Sequence, residues 1–232
     1  MYNEASVCAD CAKTLSGAMK SLCADKGWDW EVLFCDDGSN DGCASIIEKL
    51  EIDGVRVLGY PDNKGKGRAV REAVLATEGD VVIYTDCDLA YGTDVIGEAV
   101  EKLLESGADM LLGSRNIHRD GYLGYTAMRK FASKVYIKVI AIYAGFKMTD
   151  SQCGFKAFRG ECARKVFSHC IMDGFSFDLE VIKVAQKLKL KLIEMPVKIV
   201  NHRESKVNLV KDAMRMLRDI KTIKKSVSKL DV

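Results

Sequence analysis

Val81-Val82-Ile83-Tyr84-Thr85-Asp86-Cys87-Asp88 decides how this chain folds. Four consecutive apolar residues bounded by a polar loop read as a strand buried on both faces. The loop that ends it carries two carboxylates. The same arrangement recurs upstream. Val32-Leu33-Phe34-Cys35 runs into Asp36-Asp37-Gly38-Ser39-Asn40-Asp41, and Val55 to Tyr60 runs into Asn63-Lys64-Gly65-Lys66-Gly67. Tyr2-Asn3-Glu4 opens the chain as a further polar loop. Carboxylates and glycine-rich basic loops at the ends of successive strands are how an α/β protein builds a site for a nucleotide and a metal.

Helical patterns lie between these strands. The periodicity predicts helices over 5–25, 41–50, 67–77 and 94–105, with strands over 31–35, 55–60, 80–85 and 109–113. Further on it predicts an apolar helix over 126–144, a strand over 154–158 and helices over 161–169 and 177–188. An extended segment over 191–200 contains Pro196 and reads as an edge strand. The tail 205–229 reads as a basic amphipathic helix. The fold class is α/β, a single domain with a mostly parallel central sheet flanked by helices. Such a sheet begins with an apolar strand ahead of Tyr2-Asn3-Glu4, whereas this sequence starts at Met1. Without a central strand, several buried aliphatic side chains are forfeited at about 1.5–3 kcal/mol each. That is comparable to a domain's stability of about 5–15 kcal/mol. The expectation is a displaced start codon or an N-terminally shortened chain, with its first helix over a depleted sheet.

The 232 residues are 48% hydrophobic and 29% charged, ordinary for a globular protein with a sizeable core. A net charge of +2 argues against a nucleic-acid partner. No apolar run reaches the roughly 18 residues of a spanning helix, and no signal peptide is visible. Nine scattered cysteines, an odd count, fit reduced thiols in a cytoplasmic setting. Cys8 and Cys11 share one face of the first helix, which points to packing rather than metal binding. His118, His169 and His202 form no metal set.

Asp86 and Asp88 are the candidate metal ligands. Residues i and i+2 past a strand project to one side, and carboxylate oxygens suit Mg²⁺ or Mn²⁺ together with diphosphate oxygens. Asp36 and Asp37 offer acceptors to a base or ribose, with Ser39, Asn40 or Asp41 capping the next helix. Two adjacent acids repel each other, which suggests a ligand or metal nearby. Lys66 stands in a loop whose glycines permit close approach to an anion at a helix start. Gly113-Ser114-Arg115 follows a strand and makes Arg115 a phosphate ligand. Asp150, Gln152, Phe175 to Glu180 and the basic pair Arg203 and Lys206 complete the polar blocks.

In order and spacing these blocks resemble family-two glycosyltransferases of the GT-A fold. They are closest to the polyprenyl-phosphate sugar transferases, such as dolichyl-phosphate glucosyltransferases and mannose synthases. The resemblance runs from Tyr2 to about Lys206, and its blocks are Tyr-Asn-Glu, Asp-Asp-Gly-Ser-x-Asp, Asn-x-Gly-Lys-Gly, Asp-x-Asp, Gly-Ser-Arg, Asp-x-Gln-Cys-Gly-Phe-Lys and Phe-x-Phe-Asp-x-Glu. It implies a GT-A domain over 1–204, followed by the amphipathic helix over 205–232. Tyr2 and Glu4 would sit by the base, Asp36 and Asp37 on base and ribose, and Lys66 near the nucleotide. Asp86 and Asp88 would flank the diphosphate with the metal, Asp88 being the firmer ligand. Arg115, Arg203 and Lys206 would grip the diphosphate or the acceptor phosphate, and Asp150 and Gln152 would line the sugar or acceptor side. The donor would be a UDP-sugar or GDP-mannose. Ala90, where some mannose synthases have Gln, favours glucose.

The implied reaction is an inverting transfer to a polyprenyl phosphate, catalysed from the cytosolic face of a membrane by a peripheral protein. A saccharide hydroxyl acceptor would instead need a carboxylate base, with Asp150 or Asp178 as candidates. A nucleotidyltransferase would need a glycine-rich loop where this chain has Tyr-Asn-Glu-Ala-Ser. A non-catalytic nucleotide-binding remnant is the reading that the absent strand suggests. The basic tail, with Lys211, Arg215, Arg218, Lys221, Lys224, Lys225 and Lys229 against apolar Met214, Leu217 and Ile220, could lie on an anionic membrane.

Overall fold

The computed structural model describes residues 1–122, 148–201 and 209–230, with single positions at 130, 134, 137, 138, 142, 144 and 145. Arg203 and Lys206 lie outside the described residues, as does most of the expected 126–144 helix. The elements run α1 (Cys8–Lys26), β1 (Val32–Asp37), α2 (Cys43–Glu48), β2 (Val55–Tyr60), α3 (Lys66–Leu75), β3 (Val81–Tyr84) and α4 (Asp94–Ser106). They continue with β4 (Met110–Ser114), β5 (Lys156–Arg159), α5 (Gly160–Ser168), α6 (Phe177–Lys187), β6 (Leu192–Pro196) and α7 (Leu209–Ser228). The sequence pattern places each of these elements to within a few residues at either end.

β1 and β2 pair in parallel as one sheet, and β3, β5, β4 and β6 form a second in that order. β4 and β6 are parallel, while β5 runs antiparallel to both β3 and β4. The sheet is parallel-rich as expected, with β5 as the strand that returns between two of the opposite direction. β6 sits at the edge and ends at Pro196, as its missing N–H requires. β4 is buried along its whole length. Met110 and Leu112 face a core shared with α5, α6 and α7, and Leu111 faces one shared with α4. β1 and β3 each end a sheet, and an apolar cavity of about 920 Å³ lies between them.

Cys8 and Cys11 are buried in the packing of α1, and all nine cysteines are free thiols. Among the described residues no helix is long and apolar enough to cross a membrane. Over its described residues the apolar face of α7 is covered by protein, while the side chains of Met214 and Leu217 lie outside the described residues. Met216, Ile220, Ile223 and Val227 are buried in the core that α6 also builds. Arg218, Lys221, Lys224, Lys225 and Lys229 remain exposed on its outer face. Ile220→Ala should therefore destabilise the protein by about 2–5 kcal/mol, read by urea denaturation. A helix resting only on lipid would leave the soluble protein's midpoint unmoved.

Candidate active site

The polar loops converge at one end of the two sheets, where buried carboxylates set their shape. Asp37, 3% exposed, closes β1. Its oxygens accept from Tyr60 Oη at 2.6 Å, Asn63 Nδ2 at 2.9 Å, Lys64 N at 2.9 Å and Gly65 N at 2.9 Å. Tyr60 lies opposite Asp37 in the β1–β2 register, so the pairing delivers the hydroxyl. Burial, then Asp37, raises the Tyr60 phenol and keeps it a donor. Asp37 thus anchors the 63–65 loop. This also eases the expected repulsion between adjacent acids, since four protein donors satisfy the Asp37 carboxylate. Asp36 faces the other way and is half-buried. Its Oδ1 accepts from Ser39 N and Oγ, and its Oδ2 has no hydrogen-bond partner among the described residues.

The opening loop is fastened to this one. Asn3 N donates to Ser39 Oγ at 2.9 Å, Asn3 Oδ1 accepts from Asn40 N at 3.0 Å, and Ala5 N donates to Asp41 Oδ2 at 2.7 Å. Tyr2 is left 42% exposed beside them. The N-cap of α2 is Gly42 rather than Ser39, Asn40 or Asp41; Asp41 instead clips the opening loop and accepts from Cys43 N at 3.1 Å, and Asn3 is a clip that the motif reading passed over.

Asp86 follows β3, and Lys66 Nζ rests on its Oδ1 at 2.5 Å. Burial opposes the charge on Lys66, but Asp86, Asp178 and Asp88 outweigh it and raise its pKa. The turn beyond is held by Leu89 N to Asp86 O at 3.0 Å and Ala90 N to Asp88 Oδ1 at 3.0 Å. It places Leu89 at φ 47°, a costly angle for a branched side chain. Such strain clusters at functional sites. Gly154 crosses directly over this loop, and a Cβ there would come within 2.3 Å of Asp86 Oδ2. Gly67 is similarly closed in, with Met172 O 2.5 Å from where its Cβ would be. Glycine is required at both positions by close approach. Asp86 and Asp88 offer hard oxygens around a spot that already draws a cation, so the donor set fits Mg²⁺ or Mn²⁺. Among the described residues no group of three or more His, Cys, Asp or Glu forms a complete cage. A metal here would therefore need oxygens from a ligand or water.

Arg115 and Asp150 meet each other. Asp150 is fully buried and takes Arg115 Nε at 2.7 Å, Nη2 at 2.9 Å and the Arg115 amide at 3.1 Å. Burial disfavours the guanidinium charge, but Asp150 holds its pKa well up. Next in the chain, Ser151 Oγ and Gln152 Nε2 are buried without a hydrogen-bond partner among the described residues. Arg115, Lys130 and Lys134 all approach the buried ring of Tyr122, at 5.5, 6.0 and 5.8 Å. Sequence reasoning missed both lysines, which sit in an apolar helical pattern with no motif of their own. Asp178 is likewise taken up. It forms a buried ion pair with Lys156 and accepts from Tyr84 Oη at 2.7 Å. Burial, then Asp178, pushes the Tyr84 phenol well up, so it stays protonated. Lys156 also donates to Cys153 O at 2.7 Å. Glu180, fully buried, accepts from the Ile171 and Met172 amides through Oε2. The structure therefore brings Lys66 and Asp86 together, and Arg115 with Asp150, and sets Asp36 near the end of β1.

The sequence pattern of the family described as Glycosyl transferase family 2 matches residues 1–167. The chain belongs to glycosyl transferase family 2. It is 30% identical to a dolichyl-phosphate beta-glucosyltransferase of Dictyostelium discoideum, over 96% of this chain and 71% of that protein. It is 31% identical to one from Trichomonas vaginalis, over 78% of this chain but only 56% of that protein. The Saccharomyces cerevisiae enzyme of the same name is 26% identical over 90% of this chain and 69% of that protein. In structure it resembles glucosyl-3-phosphoglycerate synthase from Mycobacterium tuberculosis, solved with Mn²⁺, UDP and phosphoglyceric acid. The TM-score is 0.70 at 18% identity, over 100% of this chain and 77% of that one. The fold is thus that of the GT-A proteins.

Two measurements check the carboxylate roles. Asp37→Ala should cost about 3 kcal/mol or more in urea denaturation, because it strands buried donors. Asp36→Ala should cost less than about 1 kcal/mol. Glu180 has its pKa raised, by burial first, against the two amides that lower it. The folded state then holds a proton that the unfolded state releases. Stability should fall as pH rises from the ordinary carboxylate value, about 4.3, through the raised folded pKa, and then level off. Glu180→Gln should flatten that part of the stability–pH curve.

Proposed function

We propose that this protein transfers glucose from UDP-glucose to the phosphate of a polyprenyl phosphate, with inversion at the anomeric carbon and dependence on Mg²⁺ or Mn²⁺. One observation carries the reading: the two acids that could serve as a base are already engaged. Asp150 is clamped by Arg115, and Asp178 by Lys156 and Tyr84. A hydroxyl acceptor must lose its proton in the transition state and needs a free base within reach. A phosphate monoester, with a second pKa of about 6, arrives ionised. With both candidate bases engaged, the site suits the phosphate. The names of the relatives, dolichyl-phosphate beta-glucosyltransferases, support the same acceptor and sugar.

In this reading Tyr2, Glu4 and Asp36 receive the base and ribose, and Asp37 acts through the loop that it anchors. Asp86 and Asp88 would hold the metal, which supplies charge neutralisation for the departing diphosphate. Lys66 would turn from Asp86 toward the diphosphate oxygens. Gln152 and Ser151, with buried polar atoms to spare, would meet sugar hydroxyls. An anionic acceptor approaching an anionic donor needs cations around it. Arg115 with Lys130 and Lys134 would provide them, joined by Arg203 and Lys206. The exposed basic face of α7 would add electrostatic attraction to an anionic membrane carrying the lipid.

The test offers radiolabelled UDP-glucose and GDP-mannose, with Mn²⁺, to a polyprenyl phosphate and to the matching polyprenol. Label from UDP-glucose alone should enter the lipid phase, with the phosphate and not with the alcohol. Asp88→Asn should lower turnover by about a hundredfold or more. Equal transfer to the polyprenol would overturn the phosphate reading, and an absence of UDP binding by calorimetry would overturn the donor.

A further inference from the structure

Thr149 precedes Asp150 in the chain, and each of its polar atoms is engaged. Its amide and its hydroxyl both donate to Glu194 Oε1, at 2.8 and 2.6 Å. Its carbonyl accepts from Asn116 Nδ2 at 2.5 Å. Ser114 Oγ lies 2.6 Å from Thr149 Oγ1. An ionised carboxylate only accepts, which fixes the order of the protons. The single hydroxyl proton of Thr149 goes to Glu194, so Ser114 is the donor to Thr149. Ser114 ends β4, Asn116 lies just beyond it, and Glu194 stands in β6. The parallel register sets Leu112 opposite Glu194 and Ser114 opposite Pro196, which delivers Glu194 to the end of β4.

Glu194 departs from the pattern of its own strand. Leu192 and Glu194 project to one face of β6, and Leu192 packs against the core that α5, α6 and α7 share. A half-buried carboxylate at the next position on that face gives up apolar contact. Its two bonds go to neutral donors of Thr149, so it acts there as an acceptor of defined direction. What Thr149 joins is the surroundings of Arg115. Asp150, the next residue, takes the edge of the guanidinium through Nε and Nη2. Asn116, which holds the Thr149 carbonyl, also accepts from Tyr122 Oη at 3.0 Å. The Tyr122 ring centre lies 5.5 Å from the guanidinium carbon. A planar guanidinium is directed by what meets its edge and its face. Both of those groups are tied to Thr149.

We propose that Glu194 is a positioning residue for Arg115. By holding the amide and hydroxyl of Thr149 it sets Asp150 and Tyr122, and through them the direction in which Arg115 presents its charge. It touches no reacting group itself. Its consequence for turnover rests on the reading of Arg115 as a cation for the acceptor phosphate. A misplacement of about 1 Å in such a group costs up to about a hundredfold. Loss of Glu194 loosens the segment before Asp150 without removing a cation. The donor-side loop is anchored separately, by Asp37. The effect therefore falls on the acceptor and spares the nucleotide sugar.

The test compares Glu194→Ala, Glu194→Gln and Thr149→Val in the full chain. Glu194→Ala should raise the KM for polyprenyl phosphate by about tenfold, with the KM for UDP-glucose within about twofold of the parent. Glu194→Gln keeps an acceptor oxygen and should stay within about twofold. Thr149→Val removes the hydroxyl bond from an exposed position, and so serves where Glu194→Ala fails to fold. It should raise the acceptor KM by about threefold. A purely structural role would lower the folded fraction and Vmax with both KM values unchanged, and would overturn the proposal. So would an equal effect of Glu194→Gln and Glu194→Ala, since charge rather than acceptor geometry would then matter. A second readout needs no substrate. The Arg115 Nε–H signal in a nitrogen–proton correlation spectrum is identified by its loss in Arg115→Lys. Its exchange with solvent should quicken by about tenfold in Glu194→Ala and stay near the parent's in Glu194→Gln. An unchanged signal in Glu194→Ala would overturn the proposal whatever the lipid assay gives. A quickened signal in a protein that moves no sugar to the lipid phosphate would uphold the positioning role and overturn the acceptor reading instead.

Discussion

A carboxylate taken out of water has to be met by donors or cations, and the functional end of this protein is organised by that constraint. Asp37 gathers the 63–65 loop, Asp150 fixes Arg115, Asp178 fixes Lys156 and Tyr84, and Glu180 fixes the amides of 171 and 172. The two ion pairs among them, Arg115–Asp150 and Lys156–Asp178, contribute little net stability against an apolar replacement, but breaking one costs about 3–5 kcal/mol. Their effect is positional. Each ties a loop to a strand or helix end by bonds with defined direction. Asp36, Asp86 and Asp88, outside this set, are only half-buried, and in the proposed function these are the acids that meet the ligand.

That division explains what could be read in the sequence and what could not. Val55 to Tyr60 and Val81 to Tyr84 are short apolar runs closed by polar loops, and local pattern alone placed them as strands. The direction of β5 was not legible, because a buried strand is apolar whichever way it runs. Asp36 and Asp37 are chemically identical neighbours. Strand alternation sends them to opposite sides, but which one is buried follows from the β1–β2 register that sets Tyr60 beside Asp37. α7 shows the same limit. An amphipathic pattern states that one face will be covered, not by what, and here the cover is α6 and its core.

Contacts between loops distant in sequence were equally hidden. Gly154 reads as one glycine among 19, yet its lack of a side chain lets the 153–155 segment pass over Asp86. Gly67 admits Met172 O in the same way. Both contacts are steric, and neither leaves a periodic signature. Lys66 and Asp86 were each picked out by motif, but their pairing required three loops to be packed against one another.

The 171–176 loop links these observations. Glu180 holds its amides, Arg71 pairs with Asp173 at 2.5 Å, and Asp219 of α7 accepts from Ser176 Oγ at 2.5 Å. Met172 and Asp173 in turn press on Gly67 and Gly65 of the basic loop that carries Lys66. The C-terminal helix is thereby connected to the donor-side loop through one short segment. Covering an apolar face and bracing a site loop are then a single task for α7. Arg218, Lys221, Lys225 and Lys229 are exposed on its outer face.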